Sequence, residues 1–172
     1  HMAPTGSAGL DLYERREGRW VFRGSGRPTG SVTSQTLATS LPNTMTEYLL
    51  YLPLYHDVVA LKLGLEKTAK LAPAPPREKK PIVFYGTSIT QGGCASRAGM
   101  CHAAILGRWL DREVINLGFS GNGRGEMEVC DLVNEIDAGV FVLESVGNMT
   151  VEEVRERIEP WVHRLRAKHP ET

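Results

Sequence analysis

PIVFYGTSITQGG, residues 81–93, sets an apolar run directly against a loop of glycines and hydroxyls, with Ser88 at its centre. The run at 82–85 has no polar alternation, which is the pattern of a strand covered on both faces. EVINLG (113–118) and VFVL (140–143) repeat it. Helical spacing fills the intervals. Cys101, Ile105 and Trp109, flanked by Leu106 and Leu110, form one apolar stripe, and Val129, Leu132, Val133 and Ile136 form a second. A third helix opens with Thr150-Val151-Glu152-Glu153, a capping box, and carries Val154, Ile158, Trp161, Val162 and Leu165 along one face. Pro160 is expected to kink or end it, since proline removes a backbone donor. The order is β-α-β-α-β-α, so residues 81–172 are predicted to be an α/β domain: a doubly wound parallel sheet between two layers of helices. VFVL, a buried-type strand with no further strand after it, leads to the expectation that a C-terminal segment is missing or that another chain, as in a homo-oligomer, covers it.

Toward the N-terminus the character changes at LAPAPPREKK (71–80), too rich in proline and charge for a helix or a central strand. Residues 73–80 are therefore read as a linker, and residues 1–72 as a separate unit. There RWVF (19–22), SVTSQTL (31–37), EYLLYLPLY (47–55) and VVALKLGL (58–65) are short β-type runs divided by turn formers such as GSGRPTG (24–30). They predict a small antiparallel β domain.

Composition narrows the partners. Lys+Arg and Asp+Glu stand at 20 each, so no basic excess points to nucleic acid or an anionic membrane surface. No apolar run approaches the roughly 20 residues of a membrane-spanning helix. Three cysteines, Cys94, Cys101 and Cys130, without C-x-x-C spacing argue for reduced thiols rather than a disulfide framework or a zinc site. The His1-Met2 start reads as an expression scar, and localisation, cytoplasmic or exported, is left open.

Ligands of open α/β sheets bind at the carboxyl ends of the strands. Three segments fall there: GTSITQGG (86–93), GFSGNG (118–123) and ESVGNMT (144–150). A serine hydroxyl, glycine amides and an asparagine amide are the inventory of acyl transfer, a nucleophile plus oxyanion donors. GTSITQGG resembles the first block of the SGNH (GDSL-type) hydrolase family, with Ser88 as nucleophile. SGNG (120–123) resembles the second, with Gly121 as oxyanion glycine, and VGNMT (146–150) the third, with Asn148 as oxyanion amide. GLDLY (9–13) with YLPLY (51–55) is similar to the β-sandwich domain that precedes one bacterial branch of the family.

The resemblance implies a flavodoxin-like three-layer fold behind a β-sandwich. It implies a carboxylic-ester hydrolase without metal or organic cofactor, acting on a small-molecule ester or an acylated carbohydrate. It also implies a histidine base and aspartate partner in a D-x-x-H block, and no D-x-x-H occurs in these 172 residues. Thr87 stands where the family often has aspartate, and so does Met149.

Plainer readings exist for each residue. Ser88 can be a turn hydroxyl, Gly121 a tight-turn glycine and Asn148 a loop tie. His102 is the best-placed substitute base, though a solvent-facing helix start explains it as well. Glu144 is read as structural before it is read as a partner of the site, and Trp161 as core. Gly86, Gly92 and Gly93 match neither G-x-x-x-x-G-K-[ST] nor G-x-G-x-x-G, which argues against nucleotide binding. The rival to the esterase is a non-catalytic carbohydrate-binding or assembly module that keeps the fold.

Overall fold

The computed structural model describes residues 2–172, and the chain divides into two compact units. His1–Glu78 together with Cys94–Gly99 make the first; Lys79–Gly93 and Met100–Thr172 make the second.

The second unit is built on β4 (Ile82–Gly86), whose five residues are all buried. β5 (Val114–Gly118) and β6 (Val140–Glu144) flank it in parallel, Ile82 lying opposite Val114 on one side and Val140 on the other. The order β5-β4-β6 means that the chain winds first to one side of β4 and then to the other. Strand order thus reverses at β4, and the crevice of a doubly wound sheet opens at its carboxyl end.

Strand alternation divides the side chains. Val83 and Tyr85, with Ile115, Leu117, Phe141 and Leu143, face α4 (Met127–Val133) and α5 (Val151–Lys168), where Cys130, Val133, Trp161 and Leu165 complete the core. Tyr85 and Trp161 stack with ring centroids 4.6 Å apart. The opposite face, with Phe84, meets α3 (His102–Leu110), and the His102 ring lies edge-on to Phe84 at 5.6 Å. These are the three layers expected of the fold.

Two helices differ from expectation. α3 buries Ala103 and Ala104, with Cys101 buried just before it, while Trp109 is 78% exposed. Small residues let the helix backbone sit close to the sheet; Ile105 and Leu106 are half-buried, and Trp109 and Leu110 turn outward. α5 runs through Pro160 without stopping. Pro160 and Glu156, whose carbonyl loses its partner to the proline, are both on the exposed side, where water can bond that carbonyl. The capping box at Thr150 forms as its sequence requires, the Thr150 Oγ accepting from Glu153 N–H at 3.2 Å and the Glu153 carboxylate from Thr150 N–H at 2.9 Å.

The first unit holds a three-stranded antiparallel sheet, ordered β2-β1-β3, in keeping with the small antiparallel β domain expected toward the N-terminus. Its strands are β1 (Leu10–Arg16), β2 (Arg19–Gly26) and β3 (Tyr48–Tyr51), and a short helix, α1 (Pro4–Ser7), precedes them. Residues 31–37 and 58–65 form no strand. The Gln35 side chain instead bonds Arg27 at both its N–H and its carbonyl, a side-chain substitute for a ladder. In 58–65 the apolar residues are exposed, Val59 fully. Periodicity there had no partner strand to answer it.

β1, the central strand, buries Asp11 and Glu14. Glu14 is paired with Arg16 at 2.5 Å and Arg23 at 3.1 Å. Asp11 takes the Arg97 guanidinium at 3.1 Å and the Gly99 N–H at 2.9 Å. Gly99 has to be glycine: a Cβ would stand 2.6 Å from the Tyr13 ring and 3.0 Å from Asp11 Oδ2. The Asp and Tyr of GLDLY therefore grip the segment Cys94–Gly99. No helix among the described residues is long and apolar enough to cross a membrane.

Candidate active site

Ser88 is the first residue of α2 (Ser88–Gln91), a single turn set against the end of β4. Thr87 caps it, its Oγ accepting from the Ile89 N–H at 3.2 Å. The Thr87 hydroxyl donates in turn to Glu144 Oε2 at 2.7 Å, Thr90 donates to the same oxygen at 3.0 Å, and Thr87 N–H reaches it at 3.1 Å. Both threonines are buried, so these bonds are shielded from water. Burial works against the Glu144 charge, but the bonds from Thr87, through side chain and backbone, and from Thr90 outweigh it and hold the carboxyl below its ordinary value.

The loop after β5 is tied to this turn twice. Phe119 N–H donates to Gly86 O at 2.8 Å, and Ser120 N–H to Gln91 Oε1 at 2.8 Å. Asn116 fixes the α2 turn from β5, donating to Thr90 O at 2.8 Å. Gly123 stands against β4 with φ +64°, where a Cβ would meet Gly86 O at 2.2 Å. Gly121, at φ +73°, has open space on that side and is exposed. The third loop closes on the second: Asn148, at the end of the 3₁₀ turn Val146–Asn148, donates from its side-chain amide to Asn122 O.

Further bonds stiffen the loop that carries Gly121. Tyr85 donates its hydroxyl to Glu126 Oε2 at 2.6 Å and accepts from Gly125 N–H at 2.9 Å. Burial, first, and the Glu126 bond push the Tyr85 phenol far above its usual range, so it stays a donor. Trp161 Nε1–H bonds Glu126 O at 3.2 Å. Arg124 reaches Glu153 Oε2 at 2.8 Å, and Arg157 bonds Arg124 O at 2.9 Å.

Ser88, Gly121 and Asn148 thus sit on three loops at the carboxyl ends of β4, β5 and β6, and hydrogen bonds join those loops in sequence. The described histidines make other contacts. His102 packs on Phe84, His163 faces Glu159 on the exposed side of α5, His169 bonds Asn134 O, and His56 bonds Ser7 O. Cys101 and Cys130 are buried thiols, Cys130 raised by burial to about 11, and Cys94 is exposed. Among the described residues no cluster of three or more His, Cys, Asp or Glu is placed to hold a metal.

Glu144, read from the sequence as structural before it is a partner of the site, ties the end of β6 to the α2 turn through Thr87 and Thr90. Its signal was there: a carboxylate closing a buried strand, at the same strand end as two threonines across the sheet.

A three-stranded parallel sheet with reversed strand order, helices on both faces and cross-tied loops at the strand ends define a doubly wound α/β protein. The model of the GDSL-like Lipase/Acylhydrolase family matches residues 79–172, and the chain belongs to that family. A model of the N-terminus of SGNH-hydrolase-type esterases matches residues 1–71. Among solved structures, a chain from Bacteroides ovatus described as a GDSL-like lipase is 40% identical with a TM-score of 0.91, the match covering 98% of this chain and 50% of that one. A salicylyl-acyltransferase from a tetracycline biosynthetic pathway shares the fold at 17% identity and TM-score 0.59, over 98% of this chain and 51% of its own. The chain therefore spans about half the length of these solved chains. No curated protein matches it.

Proposed function

We propose that this chain supplies the nucleophile and the oxyanion donors of a serine carboxylic-ester hydrolase. Ser88 Oγ attacks the ester carbonyl while a histidine base takes its proton. The negative oxygen that forms is held by the Ser88 and Gly121 N–H groups and by the Asn148 side-chain amide. Collapse expels the alcohol, which takes the proton back from the base, and water then releases the acid from the acyl-serine by the same route.

The observation that carries this reading is the cross-tying of the three loops. Asn148 has two side-chain N–H groups; one is engaged by Asn122 O, which sets the plane of the amide and aims the other. Preorganised donors of this kind do not have to be reoriented when charge develops. These 172 residues contain no D-x-x-H, and the reading takes the base from elsewhere in the full product of the gene. The substrate is a small neutral ester, with acylated carbohydrates the first class to test.

The test is hydrolysis of p-nitrophenyl acetate by the full gene product. Ser88→Ala is expected to abolish turnover, and Asn148→Ala to lower kcat by roughly 100- to 1000-fold, as loss of one oxyanion donor does elsewhere. The 172-residue chain alone is expected to stay near background. Turnover that survives Ser88→Ala contradicts the reading. A full gene product with no ester turnover but measurable binding of sugars supports a non-catalytic module instead.

A further inference from the structure

Glu144 makes an unusual set of bonds for a strand-end carboxylate. Three donors converge on one oxygen, Oε2, from two residues that bracket Ser88: Thr87 just before it and Thr90 two positions after it. The Glu144 main-chain carbonyl adds a bond from Thr87 N–H at 3.0 Å. A carboxylate has no hydrogen to give, so both hydroxyls are turned toward it. That leaves Thr87 a lone pair with which it accepts from Ile89 N–H and starts the α2 turn. The cluster is closed to anything larger. A Cβ on Gly86 would stand 2.4 Å from Thr90 Oγ and 2.9 Å from Glu144 Oε2.

The other carboxylate oxygen looks the other way. Oε1 lies 3.9 Å from where a Cβ on Gly147 would be, beside the turn Val146–Asn148. Asn148 N–H closes that turn on the carbonyl of Ser145, the residue next to Glu144. One side chain, anchored in β6, thus stands between the turn that carries Ser88 and the turn that carries Asn148.

We propose that Glu144 is a positioning residue that fixes Ser88 relative to Asn148 by holding Thr87 and Thr90 from the neighbouring strand. This rests on the ester-hydrolase reading. Glu144 touches no reacting atom; it acts through Thr87. Loss of its acceptor leaves two buried hydroxyls to find other partners, and the turn is then free to shift. A displacement of about 1 Å in a reacting group is enough to cost on the order of 100-fold in rate.

The experiment is a mutant cycle in the full gene product, with kcat and KM for p-nitrophenyl acetate measured separately. Glu144→Ala is expected to lower kcat by about 100-fold with KM changed less than about threefold. Glu144→Gln keeps an oxygen for the three donors and is expected to recover most of the rate. Thr87→Val is expected to match Glu144→Ala, and the double variant to be no worse than either, because both break one unit. Circular dichroism establishes that each variant is folded; where Glu144→Ala is not, Glu144→Gln and Thr87→Val carry the test. Ser88-dependent turnover that is unchanged in folded Glu144→Ala or Thr87→Val, or losses that simply multiply in the double variant, overturns the proposal alone. Absence of Ser88-dependent turnover in the unmodified protein overturns the hydrolase reading and the proposal with it.

Discussion

Gly121 and Gly123 both hold left-handed backbone, at φ +73° and +64°, yet their surroundings differ. Gly123 lies against β4 with no room for a methyl group, whereas Gly121 faces open space. Gly123→Ala combines a backbone penalty with a backbone clash and is expected to destabilise the fold by roughly 2 kcal/mol or more. Gly121→Ala carries the backbone penalty alone, about 1 kcal/mol. Urea melts of the two variants check this, and equal losses would contradict it. The sequence S-G-N-G shows both glycines but not which one is packed; that distinction exists only once Gly86 is placed beneath the loop.

At the scale of elements, Glu144 staples β6 to the turn after β4, and its titration should be visible in stability. Its native pKa is depressed below the ordinary 4.5, so its contribution is fully present above that value and is lost as pH falls through the lower native value. The unmodified chain is therefore expected to lose melting temperature more steeply than Glu144→Gln between about pH 5 and about pH 3. Parallel curves would contradict the assignment. The three parallel strands and the capped α5 were legible in the sequence, because each is a continuous apolar run or a complete local signal. β1 was not read as a strand, because its Asp11, Glu14, Arg15 and Arg16 look like a solvated loop until their partners are known. Glu14 and Asp11 are neutralised by Arg23 and Arg97, the latter more than 80 residues away, and no local pattern announces such pairs. Residues 31–37 and 58–65 fail in the opposite sense: they alternate as strands do, but strand formation needs a partner edge. Of the candidate site, the three blocks were readable as motifs, while the bonds by which Gln91, Asn116 and Glu144 join the loops were not, since they span different strands.

For the molecule as a whole, the Asp and Tyr of GLDLY act at long range, drawing Cys94–Gly99, the segment that follows the Ser88 turn in sequence, into the first unit. Asp11 is fully buried, and Asp11→Ala leaves Arg97 and the Gly99 N–H without their carboxylate. Breaking a buried pair in this way is expected to cost about 3 kcal/mol, read as an early transition in urea unfolding; a loss below about 1 kcal/mol would contradict it. The central claim, that Ser88 is a nucleophile, is tested most directly by covalent trapping. The full gene product is treated with a fluorophosphonate, whose phosphorus takes the serine oxygen as fluoride leaves, and the adduct is located by peptide mass mapping. The account predicts one adduct per chain, on Ser88, absent from Ser88→Ala. No adduct in a folded protein, or an adduct on another residue, would contradict it.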